Sequence, residues 1–331
     1  MKILVVGYGS IGKRHVKNLL SLTKSEIIIC TKRKNLDISK KKNVKIFASV
    51  EKCLREKPDI GFITNETAFH IPVTLKLAKQ GIDLFIEKPL SNSIKDITEL
   101  RSIVAKKKLI VQMGCQFRFH KCIKKIHQLI QQKKIGKIIS IQVENSSYLP
   151  DWHPYEDYTK GYAALNRLGG GIVLTQIHDL DYLYWFFGKP VSIFSITKKF
   201  SDLKLSVDDF SASTLEFKNN VVAQIHQQFF QGPPFMSCKI KGTNGVIYWD
   251  SNSNEVRLFN NRKKKWITLL KLKNFQRNQM FEDEVRDFLK CVKNRHKTIN
   301  DLNDGIMTLK MALAIKKSAK EKKIIKFNYR G

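Results

Sequence analysis

The sequence has no C-x-x-C pair among its six cysteines and no H-x-x-x-H spacing among its eight histidines. Cys30, Cys53, Cys115, Cys122, Cys238 and Cys291 are scattered, which argues against a disulfide framework and fits a reduced, cytoplasmic chain. His120, Cys122 and His127 come nearest to a ligand set. They lie on a basic helical pattern without a carboxylate partner, so no metal site is expected. Nucleophile-elbow and kinase signatures are absent. So is any long uninterrupted apolar run. The most apolar stretch, 172–187, is broken by Gln176, His178, Asp179 and Asp181, a polar density that a membrane span does not tolerate. The N-terminus opens directly as a strand pattern, so no secretory leader is expected. Neither internal repeats nor a disordered linker is visible.

Acidic residues are scarce too: 29 Asp and Glu face 60 Lys and Arg, a formal net charge of +31. Such an excess suits an anionic partner, whether a nucleotide, a nucleotide-linked substrate or nucleic acid. The basic residues, however, fall in dispersed runs at 32–34, 40–42, 106–108, 262–265 and 316–323, at loops and helix ends with few exposed aromatics between them. That dispersal equally fits a lysine-biased composition and speaks against nucleic acid as the partner.

What is present is ample for two domains: 331 residues with 42% hydrophobic content. Apolar runs at 2–6, 26–30, 44–47, 59–63, 83–86 and 110–113 alternate with helical patterns near 11–22, 69–79 and 93–106. This rhythm predicts an α/β fold whose N-terminal domain, 1–118, is a doubly wound parallel sheet. The Ser91-Asn92-Ser93 cluster is expected to cap the helix that follows. Beyond a tight hinge near 116–120 the pattern changes. A helix near 119–132, a long strand at 137–148, an aromatic loop at 149–162 and a helix opened by Gly169-Gly170-Gly171 come first. Seven strand patterns between 190 and 270 and helices near 278–294 and 302–320 follow. Successive strands without helices between them predict a C-terminal α/β domain, 119–331, with an open, mostly antiparallel sheet.

Two short segments carry most of the functional signal. Gly7-Tyr8-Gly9-Ser10-Ile11-Gly12 follows the strand Lys2-Ile3-Leu4-Val5-Val6 and opens a helix. In that order the first glycine permits the turn, the second lets backbone approach a pyrophosphate, and the third lets helix pack on strand. The helix-start amides then face the phosphates. The second segment, Glu87-Lys88-Pro89, puts a lysine at the carboxyl end of a buried strand, where open α/β sheets hold their ligands. There its ammonium can polarise a substrate oxygen or relay a proton.

Cofactor type is read about 20 residues beyond the glycines. An NAD site offers an acid there; this chain has Thr31, Lys32, Arg33 and Lys34, with no acid until Asp37. A hydroxyl, a lysine and an arginine suit a 2′-phosphate, and a charge-assisted contact of about 1.5–3 kcal/mol favours NADP by roughly ten- to a hundred-fold. NADP is the expected cofactor, with NAD the alternative.

In the second domain His178 lies about two turns into the helix opened by the glycines, with Asp179 and Asp181 placed to support it. The loop containing Trp152, Tyr155 and Tyr158 pairs rings with carboxylates, as carbohydrate recognition asks.

These segments together resemble the Gfo/Idh/MocA family of NAD(P)-dependent oxidoreductases over nearly the whole chain. The likeness takes in Gly7–Gly12, Thr64–His70, Glu87-Lys88-Pro89, Gln116-Phe117-Arg118-Phe119, the triple glycine with His178, and Gly242-Thr243-Asn244-Gly245. It implies a Rossmann domain followed by an α/β domain whose sheet forms a homodimer or homotetramer interface. It also implies hydride transfer between a nicotinamide and a hydroxyl or keto carbon of a sugar, amino sugar or sugar nucleotide. Lys88 is then the catalytic lysine and His178 the active-site histidine. Glu87 and Asn65 lie at the nicotinamide ribose, and Arg118 and Asp179 join the substrate residues. One departure stands out: many members carry an aspartate four residues before the histidine, where this chain has Leu174. NAD-dependent glycoside hydrolysis on the same fold, or a cofactor-binding sensor without catalysis, remains the alternative.

Overall fold

The structure is a computed structural model that describes residues 1–34 and 36–327, and it divides into two compact units. The first comprises Met1–Gln116 and Arg277–Ile306. Its six strands, β1 (Lys2–Val6), β2 (Glu26–Cys30), β3 (Val44–Phe47), β4 (Ile60–Ile63), β5 (Asp83–Glu87) and β6 (Val111–Gly114), form a parallel sheet in the order β3-β2-β1-β4-β5-β6. Strands of a parallel sheet are covered on both faces, which is why they read as unbroken apolar runs. Ile3, Leu4 and Val5 are fully buried, as are Ile27, Ile28 and Ile29. The order reverses between β1 and β4, where such sheets open a crevice at their carboxyl edge.

Four helices belong to this part of the chain: α1 (Ser10–Leu22), α2 (Val50–Leu54), α3 (His70–Lys79) and α4 (Ile97–Lys107). The serine cluster does not cap α4. Asp96, at φ 60°, precedes the helix, while Ser91 and Ser93 accept from the amides of Ser93 and Lys95 in the turns before it.

The second unit takes in Phe117–Gln276 and Met307–Gly331. Its described residues hold nine strands: β7 (Ile138–Tyr148), β8 (Pro190–Lys198), β9 (Phe210–Phe217), β10 (Val221–Gln228), β11 (Phe230–Gly242), β12 (Gly245–Asp250), β13 (Glu255–Asn260), β14 (Lys265–Lys271) and β15 (Ile325–Lys326). Their order is β14-β13-β12-β11-β7-β10-β9-β8-β15, antiparallel except for the β7–β10 pair. One face is covered. Along β10, Val221, Ala223, Ile225 and Gln227 are buried while Val222 and Gln224 are exposed. Helices of this unit are α5 (Lys121–Gln131), α6 (Ile172–Thr175) and α7 (His178–Phe187).

Two expectations need correction here. Residues 277–306, assigned from sequence to the second domain, belong to the first unit. The cause is α8 (Asn278–Asn294), whose Val285 and Phe288 enter the cluster of Ile3, Val5, Val16, Leu19 and Phe85, with Asn278 donating to Asn18 at 2.9 Å. The chain passes to the second unit within α9 (Leu302–Glu321). The other correction concerns His178. The helix opened by the glycines stops at Thr175, and Gln176 (φ −98°, ψ 34°) breaks the path, so His178 is the first residue of α7.

Candidate functional site

In the first unit the candidate residues gather along the carboxyl edge of the sheet. Gly7 follows β1 at φ 97°, and a Cβ there would lie 2.6 Å from the Asn65 amide nitrogen. Gly12 is packed as closely: its Cβ would fall 2.1 Å from the Gly7 carbonyl oxygen. Thr64 Oγ1 donates toward the Val6 and Gly7 carbonyls at 3.0 and 2.8 Å, tying the end of β4 to the glycine turn. Gly9 is the opposite case. Nothing lies within 4 Å of where its Cβ would be, and it forms the N-cap of α1 without a side-chain cap. Open space above helix-start amides that lack intrahelical acceptors is what a pyrophosphate requires. Beside it, Asn65 keeps a buried side-chain oxygen without a hydrogen-bond partner. A nicotinamide dinucleotide therefore fits this edge, with an anion at the amides of Ser10, Ile11 and Gly12 and a hydroxyl donor at Asn65.

At the end of β2, Thr31 Oγ1 accepts from the Arg33 amide at 3.2 Å, while Lys32, Arg33 and Lys34 are exposed. Glu87 and Lys88 close β5. Glu87 is 4% exposed and engaged inward: Oε1 is 2.6 Å from His15 Nε2, and Oε2 accepts from the Lys88 amide at 3.3 Å. Glu87, expected from sequence at the nicotinamide ribose, thus has both carboxylate oxygens engaged within the first unit. Gly114 on β6 makes room for it, since a Cβ there would touch the carboxylate at 3.0 Å. The sequence reading missed His15, whose ring packs edge-on against Phe85 at 4.9 Å. Its signal was a polar residue in the buried stripe of α1, with Gly12, Val16 and Leu19. Lys88 is half-buried, and the cis Lys88–Pro89 bond follows it.

The second unit treats its candidates differently. Arg118, expected at the substrate, is 2% exposed and makes a bidentate pair with Asp181, Nε to Oδ2 and Nη2 to Oδ1, both 2.9 Å. Asp179 is fully buried and accepts from Gln227 at 2.7 Å, Asn145 at 2.9 Å and the Tyr182 hydroxyl at 3.0 Å. Burial raises its pKa to about 6, against the lowering effect of those three donors. Asn145 and Gln227 are direct partners on β7 and β10, so Asp179 anchors the first turn of α7 to the sheet. His178 itself is 5% exposed, 5.0 Å from the Phe117 ring.

In the aromatic loop Trp152 donates to Ser147 Oγ at 3.0 Å and packs on Phe229, and the Tyr158 hydroxyl accepts from the Lys204 amide at 3.2 Å. Tyr155 alone of the three is largely exposed, at 76%. Leu174, four residues before His178, is buried. Among the described residues no His, Cys, Asp and Glu cluster could hold a metal, and no helix is long and apolar enough to cross a membrane.

A six-stranded sheet in this order, with a glycine turn open at one position only, defines a dinucleotide-binding oxidoreductase. The chain belongs to the Gfo/Idh/MocA family: residues 1–115 match the oxidoreductase family NAD-binding Rossmann fold and residues 123–248 its C-terminal domain. It is similar to myo-inositol 2-dehydrogenase of Thermotoga maritima, 24% identical, with 98% of each chain covered. A crystal structure of myo-inositol 2-dehydrogenase from Lactobacillus plantarum superposes with TM-score 0.82 at 22% identity, covering 99% of each chain. Levoglucosan dehydrogenase in complex with NADH gives TM-score 0.88 at 14% identity, again over 99% of each chain. The protein is an enzyme of dehydrogenase or reductase type, and its first unit is an NAD-binding Rossmann domain.

Proposed function

We propose that this enzyme transfers hydride between a nicotinamide and a hydroxyl or keto carbon of a sugar, amino sugar, sugar nucleotide or related polyol. The observation that carries the reading is the row at the carboxyl edge: Gly7 after β1, Asn65 after β4 and Lys88 after β5, on adjacent strands of one sheet. The named relatives and neighbours, which act on inositol and levoglucosan, support the polyhydroxylated class. When bound, the nicotinamide supplies a carbon that takes or gives hydride. Lys88 binds the reacting oxygen and stabilises its developing negative charge. His178 gives or takes the hydroxyl proton, with its backbone held by Asp179 through Asn145 and Gln227.

Thr31, Lys32 and Arg33 favour a 2′-phosphate, so NADP(H) binds more tightly than NAD(H) in this reading. No carboxylate stands at 31–34 to accept a ribose hydroxyl. The outer face of the second sheet exposes Phe194, Ile196, Val222 and Trp266 at 36–53%, and a second copy of the chain is the partner that would cover it.

The test is a cofactor titration and a turnover assay with sugars, inositols and sugar nucleotides. Lys88→Ala is expected to lower turnover by about 10²–10⁴-fold while cofactor dissociation constants move only a few-fold. A fully active Lys88→Ala enzyme refutes the assignment. Net change in nicotinamide absorbance separates dehydrogenation from a redox-neutral hydrolysis.

A further inference from the structure

The imidazole of His70 is 1% exposed and sits between two carbonyl oxygens: Nδ1 is 2.8 Å from Pro89 O and Nε2 is 2.9 Å from Asn65 O. A carbonyl oxygen can only accept. A neutral imidazole has one N–H, so it satisfies one of these oxygens and turns a lone pair toward the other. Only the imidazolium donates to both. The two oxygens belong to the two loops that the proposed function uses, Asn65 after β4 and Lys88-Pro89 after β5.

We propose that His70 is a proton-dependent positioning residue: as imidazolium it clamps the Asn65 loop to the Lys88-Pro89 loop, and as neutral imidazole it lets one of them go. The clamp itself stands on geometry within the first unit. Its consequence for cofactor affinity rests on the function proposed above.

The surroundings set where the clamp opens. Burial lowers the proton affinity of His70, and its place at the first residue of α3, a helix N-terminus, works the same way. Against this act the two carbonyls, Glu87 on β5 and Glu66 on the preceding loop, with burial prevailing. On α4, which packs against α3, Glu99 is engaged with Lys79 at 2.8 Å. The doubly bonded state is therefore the low-pH state, and its loss lies on the acidic side of ordinary histidine titration.

Nitrogen-15 NMR of the imidazoles in the whole chain reads the proton count, and amide hydrogen exchange over 64–69 and 87–91 reads the loops. Calorimetric titration of NAD reads affinity, since the oxidised cofactor survives acid. Both ring nitrogens of His70 should be protonated at low pH. As that proton leaves, exchange in one loop should rise and NAD affinity should fall about ten-fold. His70→Leu should show fast exchange in both loops at every pH, and His70→Gln, which keeps an amide donor, should hold one loop without pH dependence. A His70 with one bare nitrogen throughout overturns the proposal, as does His70→Leu exchanging like the wild type. Should His70→Leu fail to fold, the wild-type titration alone decides. If the wild type binds no dinucleotide, the proposed function falls while exchange still reports on the clamp.

Discussion

At the carboxyl edge of the first sheet, Gly9 faces open space and Asn65 keeps a buried oxygen without a partner. In the second unit Asp179 accepts three hydrogen bonds, Arg118 and Asp181 make two, and the Trp152 nitrogen and Tyr158 hydroxyl are each bonded within the same unit. Both regions are rich in residues that could bind a ligand. The second-unit groups just named are bonded within their own unit, whereas the Asn65 side-chain oxygen of the first is not. Binding capacity follows unsatisfied groups and open space rather than residue type, because a buried polar group that its own fold satisfies has no donor or acceptor to spare.

The largest expected effect breaks this comparison if it fails. Arg118→Met removes the bidentate guanidinium from the buried Asp181 carboxylate, and removing one partner of a buried pair costs about 3–5 kcal/mol. Denaturant unfolding should show that loss, and adding Asp181→Leu should recover most of it. A cost below about 1 kcal/mol would mean that Arg118 is not structural, and the substrate role expected from sequence would return.

The two helix-start glycines sharpen the contrast inside the first unit. Gly12→Ala drives a methyl group against the Gly7 carbonyl, where backbone rather than a flexible side chain must move. Overpacking of that kind costs about 1–3 kcal/mol. Gly9→Ala meets no atom and has φ −79°, so its stability should fall by no more than about 1 kcal/mol, the cost of alanine at an N-cap. The methyl group would instead occupy cofactor space, and dinucleotide affinity should drop. Paired thermal melts and cofactor titrations check both halves, and equal melting losses for the two variants would dissolve the distinction.

The first sheet was legible because parallel strands buried on both faces write themselves as apolar runs, and the glycine turn has fixed spacing. The side chains beneath the turn were not. His15 and Glu87 are 72 residues apart, and Arg118 and Asp181 are 63 apart, so no local pattern joins them. The amphipathic stripe of α8 announces that it packs but not upon which sheet, which is why 277–306 was assigned to the wrong unit. The break at Gln176 carries neither proline nor glycine; it is visible only where Gln227 Nε2 donates to the Gln176 carbonyl at 2.8 Å.

The smallest effect concerns the network under His178. Asp179 has a pKa of about 6 in the folded protein, raised by burial from an ordinary value of 3.8. Between those values the folded chain holds a proton that the unfolded chain has released, so stability falls as pH rises through the window. Holding one such proton changes the unfolding free energy by about 1.4 kcal/mol for every tenfold fall in proton concentration. Roughly half of the window lies below pH 5, so about 1 kcal/mol of the change falls between pH 5 and 7. Other titrating groups are common to wild type and Asp179→Asn, so they cancel when the two unfolding free energies are subtracted. Relative to Asp179→Asn, the wild type should therefore lose about 1 kcal/mol on going from pH 5 to 7. A difference that stays flat would mean that Asp179 is charged throughout, and a difference of opposite sign would mean that its three donors outweigh burial. In the second case the anchor of α7 would be strongest at neutral pH.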